Sequence, residues 1–255
     1  MTEALSGKTI LLTGASKGIG AATARILLDA GAHLIAHYGS DEAGARRAVD
    51  GYPEDRVTLL SANLGDRAST LALWDAALAW RGRIDVLVNN AAVMLDSPIA
   101  ADDDVWDDAW ARSLAVNVQG PAALLREAAR HHVDNGGGVI VTFSSWAAQR
   151  GAGNPDLTAY SASKAAIKAA TQTLARAHAA DGLLAYVVAP GIVRTQMSEV
   201  SARRTGGEEA LTAGLAMKEW VPPSELADLV CYLASGRCRH LTGATLDVNG
   251  ASYVR

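Results

Sequence analysis

The chain has 255 residues, of which 49% are hydrophobic and 20% are charged, and its formal net charge is −4. This balance is typical of a globular protein with a large core, and the acidic excess argues against nucleic acid as the main partner, because binding phosphates requires a basic face. No apolar run reaches the roughly 18 residues of a membrane span, and the first residues lack the features of a signal peptide, so we expect a cytoplasmic protein without membrane contact.

Short apolar runs alternate with longer amphipathic runs along the chain. The apolar runs predict strands at residues 8–14, 32–38, 56–62, 84–92, 137–145, 183–190 and 244–250. The amphipathic runs predict helices at residues 18–31, 40–51, 66–82, 104–132, 157–181 and 223–235. Strands that are apolar throughout are typical of a parallel sheet covered on both faces. The alternation therefore predicts an α/β fold, a doubly wound parallel sheet in a single domain over residues 1–255.

The one long irregular segment runs from residue 194 to residue 223. A loop of that length in a compact domain usually has a function. We therefore predict a flap over the substrate at about residues 194–221.

The glycine-rich stretch "TGASKGIG" (13–20) joins the first predicted strand to the first predicted helix. Gly14, Gly18 and Gly20 would allow a sharp turn, close approach of the backbone to a pyrophosphate and tight packing of the helix, whose free N–H groups face the anion. Glycines also mark plain turns, and the spacing is not the common G-x-G-x-x-G. The position directly after the first strand nevertheless favours a dinucleotide site.

The end of the second predicted strand bears on which dinucleotide binds. An acidic residue there would bind the ribose hydroxyls of NAD, but Tyr38 stands at that point, and Ser40 can donate to a phosphate. Lys17, inside the glycine loop, could reach a 2′-phosphate. These residues favour NADP(H) over NAD(H). We interpret the nearby Asp41 and Glu42 as charges at a helix N-terminus.

The stretch "AYSASKAAIKAA" (159–170) places Tyr160 and Lys164 four positions apart, on one face of a helix. A nearby cation favours the phenolate, so Lys164 would lower the pKa of Tyr160 from its ordinary value of about 10. Tyr160 would then serve as an acid and base if a substrate oxygen lay beside it. Taken alone, the pair fits a packed tyrosine beside a solvated lysine equally well.

The predicted strand before that helix ends "VIVTFSSW", so Ser145 falls at the carboxyl end of a central strand. Open α/β sheets bind ligands at that edge. A serine hydroxyl there can hydrogen-bond a carbonyl oxygen as charge develops on it. A cap or turn serine is the alternative, and Ser144 could fill either role.

With "TGASKGIG", "NNAA", "SS" and "YSASK" in this order, the sequence resembles the short-chain dehydrogenase/reductase family. The resemblance extends to "LAVNVQG" (114–120), "APGIVRT" (189–195) and "LTGATLDVNG" (241–250), and so covers nearly the whole chain. It implies a Rossmann-type fold, hydride transfer between a nicotinamide cofactor and a carbonyl or secondary alcohol, and a homotetramer or dimer packed through two long helices.

The resemblance also implies roles for individual residues. Tyr160 resembles the catalytic acid and base, Lys164 the residue that binds the nicotinamide ribose and lowers the tyrosine pKa, and Ser145 the group that polarises the carbonyl. Asn117, which alone would be read as a polar break in a long helix, resembles the asparagine that supports a water in a proton relay to Lys164. The implied cofactor contacts are Gly14, Ser16, Lys17, Gly18, Ile19, Gly20, Tyr38, Ser40, Asn63, Leu64, Asn90, Tyr160, Lys164, Ile192 and Thr195.

The sequence departs from the family pattern at four points. Ala92 stands where glycine is usual, and Asn63 and Asn249 stand where aspartate is usual. The connection between Ser145 and Tyr160 is somewhat long, at 160 − 145 = 15 positions. None of these departures removes a predicted catalytic group.

Met94, Trp146 and Met197 follow the motifs and are predicted to line the substrate side, although ordinary core packing would also explain them. The motifs do not identify the substrate. We favour a carbonyl reductase, with 3-oxoacyl reductase-like activity as one form. The alternatives are an NAD-dependent alcohol, sugar or steroid dehydrogenase of the same family and a non-catalytic nucleotide-binding sensor or scaffold.

No metal site is predicted. The two cysteines and six histidines lack ligand spacing. The five aspartates in "ADDDVWDDAW" (101–110) are better interpreted as charges at the start of a helix than as a metal cluster.

Overall fold

The computed structural model describes residues 4–204 and 206–255. Two stretches lie outside the described residues: residues 1–3 and Thr205, which falls within the predicted flap. The strands are β1 (Thr9–Leu12), β2 (His33–Tyr38), β3 (Val57–Ser61), β4 (Val86–Asn89), β5 (Gly138–Phe143), β6 (Leu183–Pro190) and β7 (Thr245–Val248).

All seven strands pair in parallel in one sheet, in the order β3-β2-β1-β4-β5-β6-β7. The predicted doubly wound parallel sheet is thereby confirmed. The order reverses between β1 and β4, and loops leaving the two strands diverge there to opposite faces of the sheet. A crevice opens outside the carboxyl ends at this switch point.

Ten α-helices are present in the described residues: α1 (Gly18–Asp29), α2 (Glu42–Ala48), α3 (Arg67–Arg81), α4 (Asp103–Leu114), α5 (Gly120–Asp134), α6 (Ala147–Arg150), α7 (Thr158–His178), α8 (Gln196–Arg204), α9 (Gly207–Ala213) and α10 (Pro223–Ala234). None of these helices combines the length and the apolar character needed to cross a membrane.

Helices cover both faces of the sheet, and β1 shows why the strands must be apolar throughout. Successive side chains of a strand point to opposite faces. Ile10 and Leu12 pack in the core shared with α1 and α10, whereas Leu11 packs in the core shared with α3, α5 and α7. All three side chains are fully buried, so a polar residue at any of them would lose its solvation.

The helix predicted at 104–132 is interrupted. Between α4 and α5, residues Ala115–Gln119 form a π-helical segment with Asn117 at its centre. A π segment holds an additional residue in the turn, and such segments are frequent at functional sites. The predicted loop at 146–158 contains α6 and a short 3₁₀ helix at Pro155–Leu157, and the predicted flap contains α8 and α9.

Candidate active site

A cavity of about 1140 Å³ lies along the carboxyl edge of the sheet. The segments that follow β1, β4, β5 and β6 all contribute lining residues, among them Gly14, Asn90, Ser145 and Gly191. Its position at the switch point of the sheet is where open α/β folds bind ligands.

The glycine loop at one end of the cavity has no room for side chains. Gly14 has φ +72°, and a Cβ on it would lie 2.9 Å from Cα of Ala91. A Cβ on Gly20 would overlap the carbonyl oxygen of Gly14. Asn90 holds the loop from the other side, since its Nδ2 donates to the carbonyls of Thr13 at 2.9 Å and Gly14 at 3.0 Å. The loop backbone is therefore fixed against the end of β4.

The first turn of α1 faces this loop without a side-chain cap. Lys17 occupies the N-cap position and makes no capping hydrogen bond, and the first turn contains no acidic residue. Uncapped N–H groups at a helix start, together with the positive end of the helix dipole, attract an anion. The glycine loop and the start of α1 together fit the pyrophosphate of a dinucleotide.

The remaining loop side chains reach across the cavity opening. The Ser16 hydroxyl donates to the backbone carbonyl of Asp41 at 2.8 Å. The Lys17 ammonium donates to Oε1 of Gln196 at 3.2 Å and so links the glycine loop to α8. Gly18, at φ +56°, comes close to Thr195, whose Cγ2 would lie 3.0 Å from a Cβ at that position.

The end of β2 differs from the sequence interpretation. Tyr38, predicted as a cofactor contact, does not line the cavity, and its hydroxyl is hydrogen-bonded to Glu42. His37 lines the cavity instead, because neighbouring side chains of a strand point to opposite faces. Its Nδ1 accepts from the Gly14 N–H at 3.1 Å, and its Nε2 donates to the carbonyl of Ala62 at 3.1 Å.

His37 is therefore a neutral imidazole that supports the glycine loop. Burial lowers its pKa below the ordinary value, and the hydrogen bond to Ala62 offsets part of that effect. Sequence reasoning missed this residue, and its only signal is a histidine inside an otherwise apolar strand. The other predicted contacts at this end, Ser40, Asn63 and Leu64, do line the cavity, as do Ser16, Lys17, Gly18, Ile19, Gly20 and Asn90.

Three of the four predicted catalytic residues meet in the middle of the cavity. Ser145, Tyr160 and Lys164 all line it, and a hydrogen bond joins the side chains of Ser145 and Tyr160. The two serines at the end of β5 have separate functions. Ser144 donates to the backbone carbonyl of Lys164 at 2.9 Å and so fastens α7 to the sheet, while the Ser145 hydroxyl also accepts from the Ala147 N–H at 3.2 Å.

The electrostatics of the tyrosine and lysine differ from the expectation. Burial raises the pKa of Tyr160 above its ordinary value, and the hydrogen bond from Ser145 offsets only part of this rise. Burial also lowers the pKa of Lys164 to about 8. The Lys164 ammonium donates to the carbonyl of Phe143 at 2.9 Å and lies 6.0 Å from the centre of the Tyr160 ring. The predicted lowering of the tyrosine pKa by Lys164 is absent from this arrangement, in which burial raises the pKa and only Ser145 lowers it.

Asn117 lies behind the wall of the cavity and does not line it. Its Oδ1 accepts from the Val93 N–H and its Nδ2 donates to the Val93 carbonyl, both at 2.8 Å. Nδ2 also donates to the Ser163 hydroxyl at 3.0 Å. The side chain thus connects the π segment, the end of β4 and α7, and its hydrogen-bonding atoms are already engaged.

The three predicted substrate contacts, Met94, Trp146 and Met197, line the cavity, as do Ile192 and Thr195. The segment around α8 and α9 adds further lining residues, which sequence reasoning did not identify: Gln196, Ser198, Ser201, Ala210, Leu211, Gly214 and Leu215. Arg150, at the end of α6, was also missed. Among the described residues, no group of three or more His, Cys, Asp or Glu side chains is placed to hold a metal ion.

Comparisons with known proteins agree with this geometry. A family model described as enoyl-(acyl carrier protein) reductase matches residues 14–251. The chain is 34% identical to 3beta-hydroxysteroid dehydrogenase 1 of Eggerthella lenta, over 98% of this chain and 95% of that protein. It is 31% identical to 3-oxoacyl-[acyl-carrier-protein] reductase FabG of Rickettsia conorii, over 98% of both chains.

Among solved structures, the chain is similar to a 3-ketoacyl-(acyl-carrier-protein) reductase from Brucella melitensis complexed with NADH. The TM-score is 0.85 at 27% sequence identity, and the match covers 98% of this chain and 99% of that one. The likeness therefore extends over the whole sheet, its helices and the cavity edge.

Proposed function

The chain belongs to the short-chain dehydrogenase/reductase family of oxidoreductases, which act on CH–OH and C=O groups, and on that premise we propose that it is an NADP(H)-dependent carbonyl reductase. The observation that carries the proposal is the hydrogen bond between Ser145 and Tyr160 on the wall of a dinucleotide-sized cavity. Two hydroxyl groups this close can both turn to donate to a single carbonyl oxygen that replaces the bond between them.

The residues that would hold the cofactor are those of the glycine loop and the start of α1, together with five further lining residues: Asn63, Leu64, Asn90, Ile192 and Thr195. A nicotinamide dinucleotide, when bound, supplies the hydride or accepts it. The glycine loop supports this assignment because a methyl group on Gly14 or Gly20 would collide with Ala91 or with the Gly14 carbonyl, so the close turn beside the uncapped start of α1 requires glycine at both positions.

The raised pKa of Tyr160 suits reduction. At neutral pH the phenol carries its proton, which is the state that can donate to a carbonyl oxygen. Ser145 orients that oxygen by a second hydrogen bond. Lys164 lies behind Tyr160 with its ammonium held on the carbonyl of Phe143, and Asn117 braces the loop that forms the opposite wall.

The preference for NADP(H) is supported by three side chains at the adenosine end. Lys17 reaches only a neutral amide, on Gln196, which a 2′-phosphate can replace as the partner of the ammonium. Ser40 lines the cavity with a free approach from solvent. The carboxylate of Asp41 is engaged as the cap of α2, where its Oδ1 accepts from the Gly44 N–H at 2.8 Å.

The second candidate is an NAD-dependent dehydrogenase of an alcohol, sugar or steroid. Asp41 favours it, because a carboxylate that lines the adenosine end can accept from ribose hydroxyls and repel a phosphate. A non-catalytic sensor or scaffold is the third candidate, and the intact set of Ser145, Tyr160 and Lys164 argues against it. The family expectation of a homotetramer or dimer is part of the proposal and is testable by light scattering.

The deciding experiment follows nicotinamide absorbance with NADPH and with NADH across ketones, 3-oxoacyl esters and sugars. We expect turnover of a carbonyl compound with NADPH, and a Tyr160→Phe variant that binds NADPH but loses roughly 100-fold or more in kcat. Tyr52→Phe is the matched control, since the Tyr52 hydroxyl bonds Asp29 outside the cavity. Full activity of the Tyr160 variant would refute the proton-transfer assignment, and faster turnover with NADH would refute the cofactor preference.

A further inference from the structure

Four charged side chains line the cavity among the described residues: Lys17, Asp41, Arg150 and Lys164. Lys17 and Asp41 belong to the adenosine end, and Lys164 stands behind Tyr160. Arg150 is the one that neither cofactor binding nor proton transfer uses. It lies five positions after Ser145 in the chain, at the end of α6.

The guanidinium of Arg150 has aromatic neighbours and no anionic one. Its central carbon lies 4.5 Å from the ring centre of Trp146 and 5.6 Å from that of Tyr253. In the part of the chain that the structure describes, the guanidinium of Arg150 makes no ion pair and no hydrogen bond. Its donors are therefore available to a ligand, in the fixed fork that matches a carboxylate.

Both aromatic rings are held at the carboxyl edge of the sheet. The backbone N–H of Trp146 donates to the backbone carbonyl of Pro190 at 3.0 Å and so fixes the chain that carries the indole ring. Tyr253 is held by the buried amide of Asn249, whose Nδ2 donates to the Tyr253 carbonyl at 3.1 Å and whose Oδ1 accepts from the Tyr253 N–H at 3.3 Å. An ionised aspartate at 249 has no donor for the first of these bonds, so the unusual asparagine matches this arrangement.

The lining of the cavity includes six large apolar side chains, those of Met94, Trp146, Leu157, Met197, Leu211 and Leu215. Among the described lining residues the only acidic one is Asp41, which belongs to the adenosine end. A single cation at the opening of an apolar chamber selects a molecule with an apolar body and one anionic end.

We propose that Arg150 binds a carboxylate at the far end of the substrate, so that the preferred substrates are carbonyl compounds with an extended apolar body and a terminal acid. This inference rests on the proposed function, because it assigns the substrate class of the same site. Trp146 and Tyr253 act as positioning residues, which hold the guanidinium by cation–π contact.

The test compares matched pairs of ketones that share one apolar body. We would measure kcat/KM for a long aliphatic oxo-acid and its methyl ester, and for a 3-oxosteroid carboxylic acid and its methyl ester. We expect the wild-type enzyme to prefer an acid over its ester by roughly tenfold or more. Arg150→Gln should bring that ratio close to one, mainly through a higher KM for the acid, and Arg150→Lys should restore part of it.

Arg203→Gln is the matched control, because it removes the same charge from a residue of α8 that does not line the cavity. We expect it to leave the acid-to-ester ratio unchanged. An Arg150→Gln variant that keeps the wild-type ratio overturns the inference. The inference is also overturned if the wild-type enzyme reduces neutral ketones but prefers neither of the two acids over its methyl ester. Failure to reduce any carbonyl compound overturns the proposed function, and the inference with it.

Discussion

The amide of Asn117 and the backbone of Val93 form a closed pair of hydrogen bonds, each 2.8 Å long. Val93 lines the cavity and Asn117 does not, so a polar side chain in the π segment sets the position of the loop that leaves β4. The predicted support of a water by Asn117 would have to use its backbone, because the side-chain amide is already engaged by Val93 and Ser163.

Replacing Asn117 with aspartate should therefore destabilise the protein. The carboxylate keeps an acceptor for the Val93 N–H but cannot donate to the Val93 carbonyl or to Ser163. Leaving such buried acceptors unpaired is expected to reduce the free energy of unfolding by about 3 kcal/mol, together with kcat. Denaturant unfolding measures this loss. Asn135→Asp, at an exposed helix end, is the control. Equal losses of stability in the two variants would contradict a stabilising role for the hydrogen bonds of Asn117.

The pH dependence of the two reaction directions should have opposite signs. Burial raises the pKa of Tyr160, so the phenol that reduction requires persists across the neutral range, and reduction should be nearly constant there. Alcohol oxidation requires the phenolate, so its kcat/KM should rise with pH up to at least pH 9.5, roughly tenfold per unit. Profiles of both directions test this, and an oxidation rate that falls from pH 7 to pH 9.5 would contradict it.

The buried ammonium of Lys164 should lower the free energy of unfolding, although the enzyme needs this residue for activity. Its pKa is lowered by burial to about 8 from the model-compound value of 10.5, so between these pH values the unfolded chain binds more protons and the free energy of unfolding rises with pH. Lys164→Met should lose activity and, at pH 7, gain stability by up to about 3 kcal/mol. The hydrogen bond lost at Phe143 reduces that gain.

The stability difference between the Lys164 variant and the wild type should be largest below pH 8 and should shrink as the pH rises through 10.5, above which the wild-type lysine is neutral in both states. Thermal unfolding at pH 7 and pH 10 measures it. A gap that widens with pH would show that burial of the ammonium is not the cause.

The cofactor end of the cavity should tolerate a methyl group at one glycine and not at another. In Gly20→Ala the new Cβ would overlap the carbonyl of Gly14, so the backbone of the glycine loop must shift. We therefore expect cofactor affinity to fall by roughly 100-fold or more. Gly39 lines the same cavity, and a Cβ there meets nothing within 4 Å. Gly39→Ala should fold normally and bind with little change. Fluorescence titration with the dinucleotide distinguishes the two variants.

Lys17 should decide the preference for the phosphorylated cofactor. Lys17→Gln removes the ammonium that now contacts Gln196, and we expect the KM for NADPH to rise by roughly tenfold while the KM for NADH changes little. Lys17→Arg keeps the charge and should retain most of the preference. Equal changes with both cofactors would mean that Lys17 contacts a group that the two share.

The fold was predictable because its signals are local. Seven apolar runs became seven parallel strands, and the glycine stretch lies between β1 and α1 as expected. The π segment was not predictable, since Asn117 is held by Val93 from 24 positions away and by Ser163 from 46. Helical spacing in the sequence reports only on residues a few positions apart, so it does not predict such distant partners.

By itself the sequence determined the order of the strands along the chain, the family and the set of chemical groups available at the site, because these depend on residue type and local spacing. Only the tertiary structure decided that His37 rather than Tyr38 faces the cavity, and that Arg150 meets an aromatic ring 103 positions further along the chain. It also decided that burial raises the pKa of Tyr160 and that the hydrogen bond with Ser145 offsets only part of the rise. Orientation, long-range contact and burial are properties of the packed molecule, and no stretch of sequence carries them alone.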